Sequence, residues 1–283
     1  MKDAGIIIFA QNNSHIDYVN LAVFAARRVQ QYLDLPVSLI TDSPDWLEKT
    51  HPDHPFDRVI QIEPTPNAQT KPFNDGSLSS KHLEWKNYTR NRAYELTPYY
   101  KTLVIDSDYI ICSDTLKSAF LVDAEFQIYS SSMDLAEWRS TDEFTRINRY
   151  SIPFYWATTF LFEKTPLVER FFDLISYIKL NWDYYRSLYN IDVKLYRNDF
   201  AFSIALHILN GKSSSQFSTE LPGKLVYTKD KDILVSIDDQ KITFLLEKKD
   251  YNGEYILSKT SSLDVHVMNK FSLSRFINGG SGV

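Results

Sequence analysis

Cysteine is nearly absent, with Cys112 the only one in 283 residues. That excludes an intramolecular disulfide and any metal centre built from several thiolates, and a reducing, cytoplasmic setting is the simplest expectation. Long apolar runs are missing too. No stretch approaches the roughly 20 residues of a membrane-spanning helix, and the start of the chain does not pair a basic segment with a cleavable apolar one, so a soluble chain is expected. Nor is there an excess of positive charge. Lys and Arg number 31 against 36 Asp and Glu, a formal net charge of −5, which argues against a surface that neutralises nucleic-acid phosphates. What is abundant is apolar and aromatic. Hydrophobic residues make up 43% of the chain, and its 18 Tyr, 18 Phe and 5 Trp suit a large core and equally suit stacking on sugars and bases.

Strand-like and helical patterns alternate from the start. Residues 5–10 (GIIIFA) read as a strand buried on both faces, as in a parallel sheet. Ser14 and Asp17 resemble a capping box, and Leu21, Ala22, Ala25, Val29, Tyr32 and Leu33 then recur at helical spacing. Strands at 36–41 and 58–62 flank a short helix at 43–49, the pattern of a Rossmann-like α/β sheet. Residues 64–80 are polar and aperiodic and read as a long flexible loop of the kind used as a lid, followed by a helix over 81–96. Further strands are expected at 101–105, 126–130 and 156–162, with helices at 166–189 and 199–209. His207 is expected to be core or half-buried on the second of these helices. Residues 225–257 alternate in short runs around Asp238-Asp239-Gln240 and Asn252-Gly253 and read as a small antiparallel β extension. The whole of 1–278 is taken as one α/β domain, with 279–283 (GGSGV) a disordered tail.

The strand at 101–105 delivers Asp106-Ser107-Asp108 at its C-terminal end, where open α/β sheets bind ligands. Two carboxylates separated by one residue can reach a common hard cation through such a turn, and a divalent cation is a direct way to neutralise a departing diphosphate. A bare acidic triplet is weak evidence. The hydrophobic strand before it and the apolar Tyr109 to Cys112 after it strengthen the reading.

On the run LTPYYKTLVIDSDYII, residues 96–111, the chain resembles the GT-A glycosyltransferases, in particular the group containing glycogenin and the bacterial lipopolysaccharide glucosyl- and galactosyltransferases. The resemblance spans the order of elements over 5–210, although only patches are specific. It implies a GT-A fold and transfer of a sugar, with retention, from a nucleoside-diphosphate donor such as a UDP-sugar to a saccharide, glycan or glycosylated acceptor. It also implies site residues. Asp106, Asp108 and His266 would bind the metal, Mn2+ (or Mg2+), with the imidazole tilting the choice toward manganese. Ala10, Gln11, Asn12, Tyr18, Arg90, Asp106, Ser107, Asp108 and Lys270 would bind the donor, Arg90 standing where the group usually has a lysine. Asp199 would be the acidic residue beside the reaction centre, with Arg90 assisting catalysis.

Alternatives accompany several of these assignments. Tyr18 could instead pack on its own helix, Asp199 could be a helix N-cap, and His266 could be structural. The sequence also departs from the group. Trp156-Ala157-Thr158-Thr159 lacks the expected Asn and Gly, Asn269 replaces a glycine, and Lys270 comes two positions early. Two rival functions follow: a haloacid-dehalogenase-like phosphatase using Asp106 with Asp238-Asp239, and a binding or structural module of the same fold without turnover.

Overall fold

The isoleucine-rich opening run becomes β1 (Lys2–Ala10), which leads through α1 (Tyr18–Leu33) to β2 (Val37–Thr41) and through α2 (Pro44–Thr50) to β3 (Arg58–Gln61). A hairpin of β4 (Gln69–Asn74) and β5 (Ser80–Trp85) follows, then a 3-10 turn at Arg90–Arg92 and the one-turn helix α3 (Ala93–Leu96). Next come β6 (Tyr99–Asp106), β7 (Tyr109–Ile110), β8 (Phe126–Tyr129), β9 (Ser132–Asp134) and β10 (Trp156–Glu163). The helices α4 (Pro166–Leu180), α5 (Trp182–Leu188) and α6 (Asn198–Asn210) precede β11 (Leu225–Thr228), β12 (Ile233–Asp238), β13 (Lys241–Glu247), β14 (Tyr255–Ser261), β15 (Val265–Val267) and α7 (Lys270–Ile277). The computed structural model describes residues 2–64, 69–137, 139, 144–148, 151–211, 216–249 and 253–279. Asn252 and residues 280–283 of the expected tail lie outside the described residues.

The expected mainly parallel sheet is present. Its strand order is β3-β2-β1-β6-β10-β8. The first four are mutually parallel, and β10 runs antiparallel to both its neighbours. Ile6, Ile7 and Ile8 on β1, Leu39 on β2 and Leu103 and Val104 on β6 are fully buried, and α1 covers the sheet with Leu21, Ala22, Ala25 and Val29. Burying each large apolar side chain contributes on the order of 1.5–3 kcal/mol, so strands buried on both faces must read as continuous apolar runs. The chain leaves β1 toward β2 on one side and returns to β6 on the other. The C-terminal ends of β1 and β6, where Phe9 lies beside Asp106, therefore form the switch point at which such sheets open a ligand crevice.

Several local expectations are corrected. Residues 69–85 form the β4–β5 hairpin instead of loop and helix, because Lys71, Phe73, Leu83 and Trp85 face inward at a period of two. Good helix formers at 81–96 are overridden by that pairing, and helical turns survive only from Arg90 onward. Asp17, not Ser14, caps α1, its carboxylate accepting the Asn20 N–H at 3.0 Å. The helix expected at 166–189 breaks at Asn181 into α4 and α5. His207 is exposed near the end of α6, its ring against the edge of Tyr189. The antiparallel extension consists of β12-β13-β14, whereas β11 belongs to a separate sheet ordered β7-β15-β11-β9, where it pairs in parallel with both neighbours. Asp239, at φ 50°, makes the tight turn between β12 and β13.

Two packing details are open to direct test. Gly5 lies against the face of Tyr99, whose hydroxyl is held by Ser38 at 2.7 Å, and an added Cβ would overlap the ring. Gly5→Ala is therefore expected to cost about 1–3 kcal/mol and to lower Tm by several degrees in calorimetry. Between β9 of the four-stranded sheet and the segment leading into β12, buried Arg139 binds Asp134 at 2.6 and 2.9 Å and Asp232 at 2.7 and 2.8 Å. Arg139→Met removes the counter-charge from two buried carboxylates, and urea unfolding should show a loss of about 3–5 kcal/mol.

Candidate functional site

Three segments meet at the C-terminal end of β6. The two-residue strand β7, just after Asp108, pairs antiparallel with β15, setting His266 opposite Tyr109, and the Val267 N–H donates to the Asp108 carbonyl at 2.9 Å. This pairing carries His266 to the acidic turn. Its Nε2 lies 3.3 Å from Asp108 Oδ2 and 3.9 Å from Asp106 Oδ2. Ligand atoms of Asp106, Asp108 and His266 all lie within 4.8 Å of one another. That spread matches one ion at about 2.0–2.2 Å from each donor after small side-chain adjustments, and the set of two carboxylates and an imidazole suits manganese or magnesium. The residues present thus fit a divalent metal.

Cations already surround the carboxylates. Lys270 Nζ sits 2.6 Å from Asp108 Oδ2, and Arg90 is ion-paired with Asp106. Burial alone would raise the pKa of Asp108, whose side chain is 4% exposed, but the ammonium of Lys270 and the imidazole of His266 outweigh it and hold this carboxyl well below the usual carboxylate range. Lys270 thus lies beside the acidic turn despite its early position in the sequence. Asn269, in place of the expected glycine, has an ordinary φ of −77° and caps α7 through the Ser272 N–H.

Asp106, Ser107 and Asp108 form part of the wall of a cavity of about 380 Å³, together with Arg90, Trp156, Arg197, Asp199, Asp230, His266 and Lys270. Asp199 is not an N-cap. It lies in the first turn of α6, where its Oδ1 accepts the Ala157 N–H at 3.0 Å and its Oδ2 pairs with Arg197 at 2.8 Å. Tyr18 also borders the cavity but is only 2% exposed. Burial and then Asp108 push its pKa well above the usual tyrosine range. Ala10, Gln11 and Asn12 do not reach the cavity wall. Ala10 is fully buried, Gln11 Nε2 donates to Asp42 at 3.4 Å, and Asn12 Oδ1 accepts the Val19 N–H at 3.0 Å. Asp239 is absent from the wall as well. Its carboxylate accepts from Tyr32 at 2.5 Å and its carbonyl from Arg28 at 2.6 Å, which fixes the β12–β13 turn on α1.

The β4–β5 hairpin supplies residues that the sequence did not single out. Lys71, Pro72, Phe73 and Trp85 line the cavity. The signal was the alternation of side chains within QTKPFN and SKHLEW, masked by the polar residues between. Around the cavity four carboxylates, Asp106, Asp108, Asp199 and Asp230, face four cations, Lys71, Arg90, Arg197 and Lys270. With a divalent ion the balance would become positive, which suits a ligand carrying a diphosphate. The hairpin is fastened at its far end. Arg275 binds Asp75 bidentately at 2.6 and 2.9 Å, Asn74 donates to Asp230 at 2.8 Å, and Ser77 donates to Glu247 at 2.5 Å. Arg275→Ala should remove about 1–2 kcal/mol of local stability and speed amide exchange in β4 and β5 by roughly 5- to 30-fold, leaving β1 and β6 protected, as read by hydrogen-exchange mass spectrometry.

No family model matches the sequence, and no curated protein matches it. Among solved structures, the chain is similar to the glycosyltransferase GlyE of Streptococcus pneumoniae TIGR4 at 12% identity and a TM-score of 0.44, over 78% of this chain and 45% of that one. It is also similar to the galactosyltransferase LgtC in complex with donor and acceptor sugar analogs, at 16% identity and a TM-score of 0.44, over 70% of this chain and 68% of that one. An active-site mutant of LgtC matches at 15% identity and a TM-score of 0.46, over 76% and 72% of the two chains. This chain thus spans less than half the length of GlyE.

Proposed function

We propose that the chain is a divalent-metal-dependent glycosyltransferase of GT-A type, a single domain over 1–278, which moves a sugar from a nucleoside-diphosphate donor, a UDP-sugar, to an acceptor hydroxyl with retention. The observation that carries this is the convergence of Asp106, Asp108 and His266 at a sheet switch point, with Lys270 and Arg90 beside them. Asp106, Asp108 and His266 would hold Mn2+ or Mg2+, and a metal bound there would neutralise the diphosphate as charge builds on it. Arg90 and Lys270 present N–H donors on the same side for phosphate oxygens. Asp199 faces the cavity with its carboxylate oriented by Ala157 and Arg197, suited to holding a hydroxyl near the reacting carbon. The β4–β5 hairpin, which lines the cavity with Lys71, Pro72, Phe73 and Trp85, would help to keep water from the bond being broken. The phosphatase alternative loses its second acidic pair, because Asp239 is committed to the β12–β13 turn on α1.

Calorimetric titration with UDP, with and without Mn2+, tests this reading. Tight binding in Mn2+ that weakens at least about 100-fold in the Asp106→Ala, Asp108→Ala double variant is expected. Slow Mn2+-dependent release of sugar from a UDP-sugar would separate an enzyme from a module that only binds. If neither UDP nor any other nucleoside diphosphate binds with or without metal, the reading is wrong.

A further inference from the structure

The cations of the cavity differ in one respect. Arg90 has Asp106, Lys270 has Asp108 and Arg197 has Asp199, but Lys71 has no carboxylate among the described residues. Its ammonium rests instead on two rings, 4.5 Å from the centroid of Trp85 and 5.0 Å from that of Phe73. Both rings belong to the same inward face of the hairpin, on which Lys71 stands opposite Leu83. Aromatic faces can hold a cation in place while leaving room for an anion on its open side. The charged groups facing Lys71 come from three directions: Asp108 from the turn after β6, Arg197 and Asp199 from the start of α6, and Lys270 from α7. An ammonium that shares its cavity with Lys270 and Arg197 and has no carboxylate of its own among the described residues is a group prepared for an anion.

We propose that Lys71 is an anion-binding residue of this cavity, whose ammonium, carried on the roof hairpin, takes an oxygen of the diphosphate of a bound nucleoside diphosphate opposite Lys270. This rests on the function proposed above and adds a contact from a different element of the fold. The electrostatics agree. Burial, with Lys270 and Arg197 next, pushes the Lys71 ammonium down to about 7 against the pull of Asp108 and Asp199. A bound diphosphate would favour the charged form, so Lys71 should gain a proton as the ligand enters. The hairpin would then be held to the ligand by charge as well as to the protein by Asp75, Asn74 and Ser77.

The experiment is calorimetry of UDP and of inorganic pyrophosphate in Mn2+ at pH 7.5, in buffers of different ionisation enthalpy, on the wild type, Lys71→Met and Lys71→Arg. The wild type is expected to take up more protons per UDP than Lys71→Arg, at most about 0.8, the shortfall from full protonation at pH 7.5 of a group titrating near 7. Lys71→Met should bind both ligands about 10- to 100-fold more weakly, and Lys71→Arg should stay within about threefold of wild type. Circular dichroism and thermal melting report whether Lys71→Met folds. Should it not fold, Lys71→Gln takes its place in the affinity comparison. Equal affinities and equal proton uptake in all three proteins, with UDP still bound in a Mn2+-dependent way, would overturn the role of Lys71 alone. No binding of either ligand to the wild type would instead overturn the functional reading beneath it.

Discussion

The pairing of β7 with β15 is the contact on which the candidate site depends. β7 has two residues and β15 three, yet together they bring His266, Lys270 and the start of α7 against a turn fixed much earlier in the chain. Neither strand would persist alone, since so short a pair is marginal without a sheet behind it. β11 and β9 provide that sheet, and the buried Arg139 between Asp134 and Asp232 fastens it to the segment leading into β12. Asp264 adds a local clamp, accepting the Cys112 and Ser113 N–H groups at 2.7 and 2.9 Å just before β15 begins.

Charge then follows from position. An acidic turn at the end of a buried strand is poorly hydrated, so its carboxylates must find cations, and Arg90 and Lys270 are those within reach. These same cations are the groups that a phosphate ligand would use. The carboxylates of Asp106 and Asp108 are therefore compensated in charge by Arg90 and Lys270, while Asp106 Oδ1, Asp108 Oδ2 and His266 Nδ1 keep unmet hydrogen-bonding capacity that a ligand could use. Sharing of this kind lets a protein keep strongly ionised groups in a closed cavity without an isolated buried charge.

Much of the fold was legible because strands buried on both faces must be continuous apolar runs, which 5–10 and 101–105 are. The acidic turn was legible for the same reason, since the run before it fixed its place at a strand end. His266 and Lys270 could be found only through likeness to a known group, because no local pattern reveals which distant residue a two-residue strand will pair with. The hairpin was missed because its inward face carries Lys71 among Phe73, Leu83 and Trp85. A lysine facing a cavity interrupts the apolar alternation on which strand recognition relies. For Ala10, Gln11 and Asn12 the sequence could not show which groups they meet, since the Asp42 that Gln11 reaches follows a different strand and only the fold brings the two together. The sequence could not show that Asp199 would tie α6 to β10, for that bond joins a helix start to a strand start that only the fold brings together.

The bidentate Arg275–Asp75 pair that fastens the roof has a consequence beyond rigidity. Both side chains are partly exposed, so added salt screens the attraction between them, just as it screens the pull of the cavity on a passing anion. The two effects act on different rates. For an anion bound as proposed, screening at the cavity would slow its arrival, whereas screening at Asp75 would loosen the hairpin and hasten its departure. Ionic strength would thus lower the occupancy of a bound anion through both rates at once.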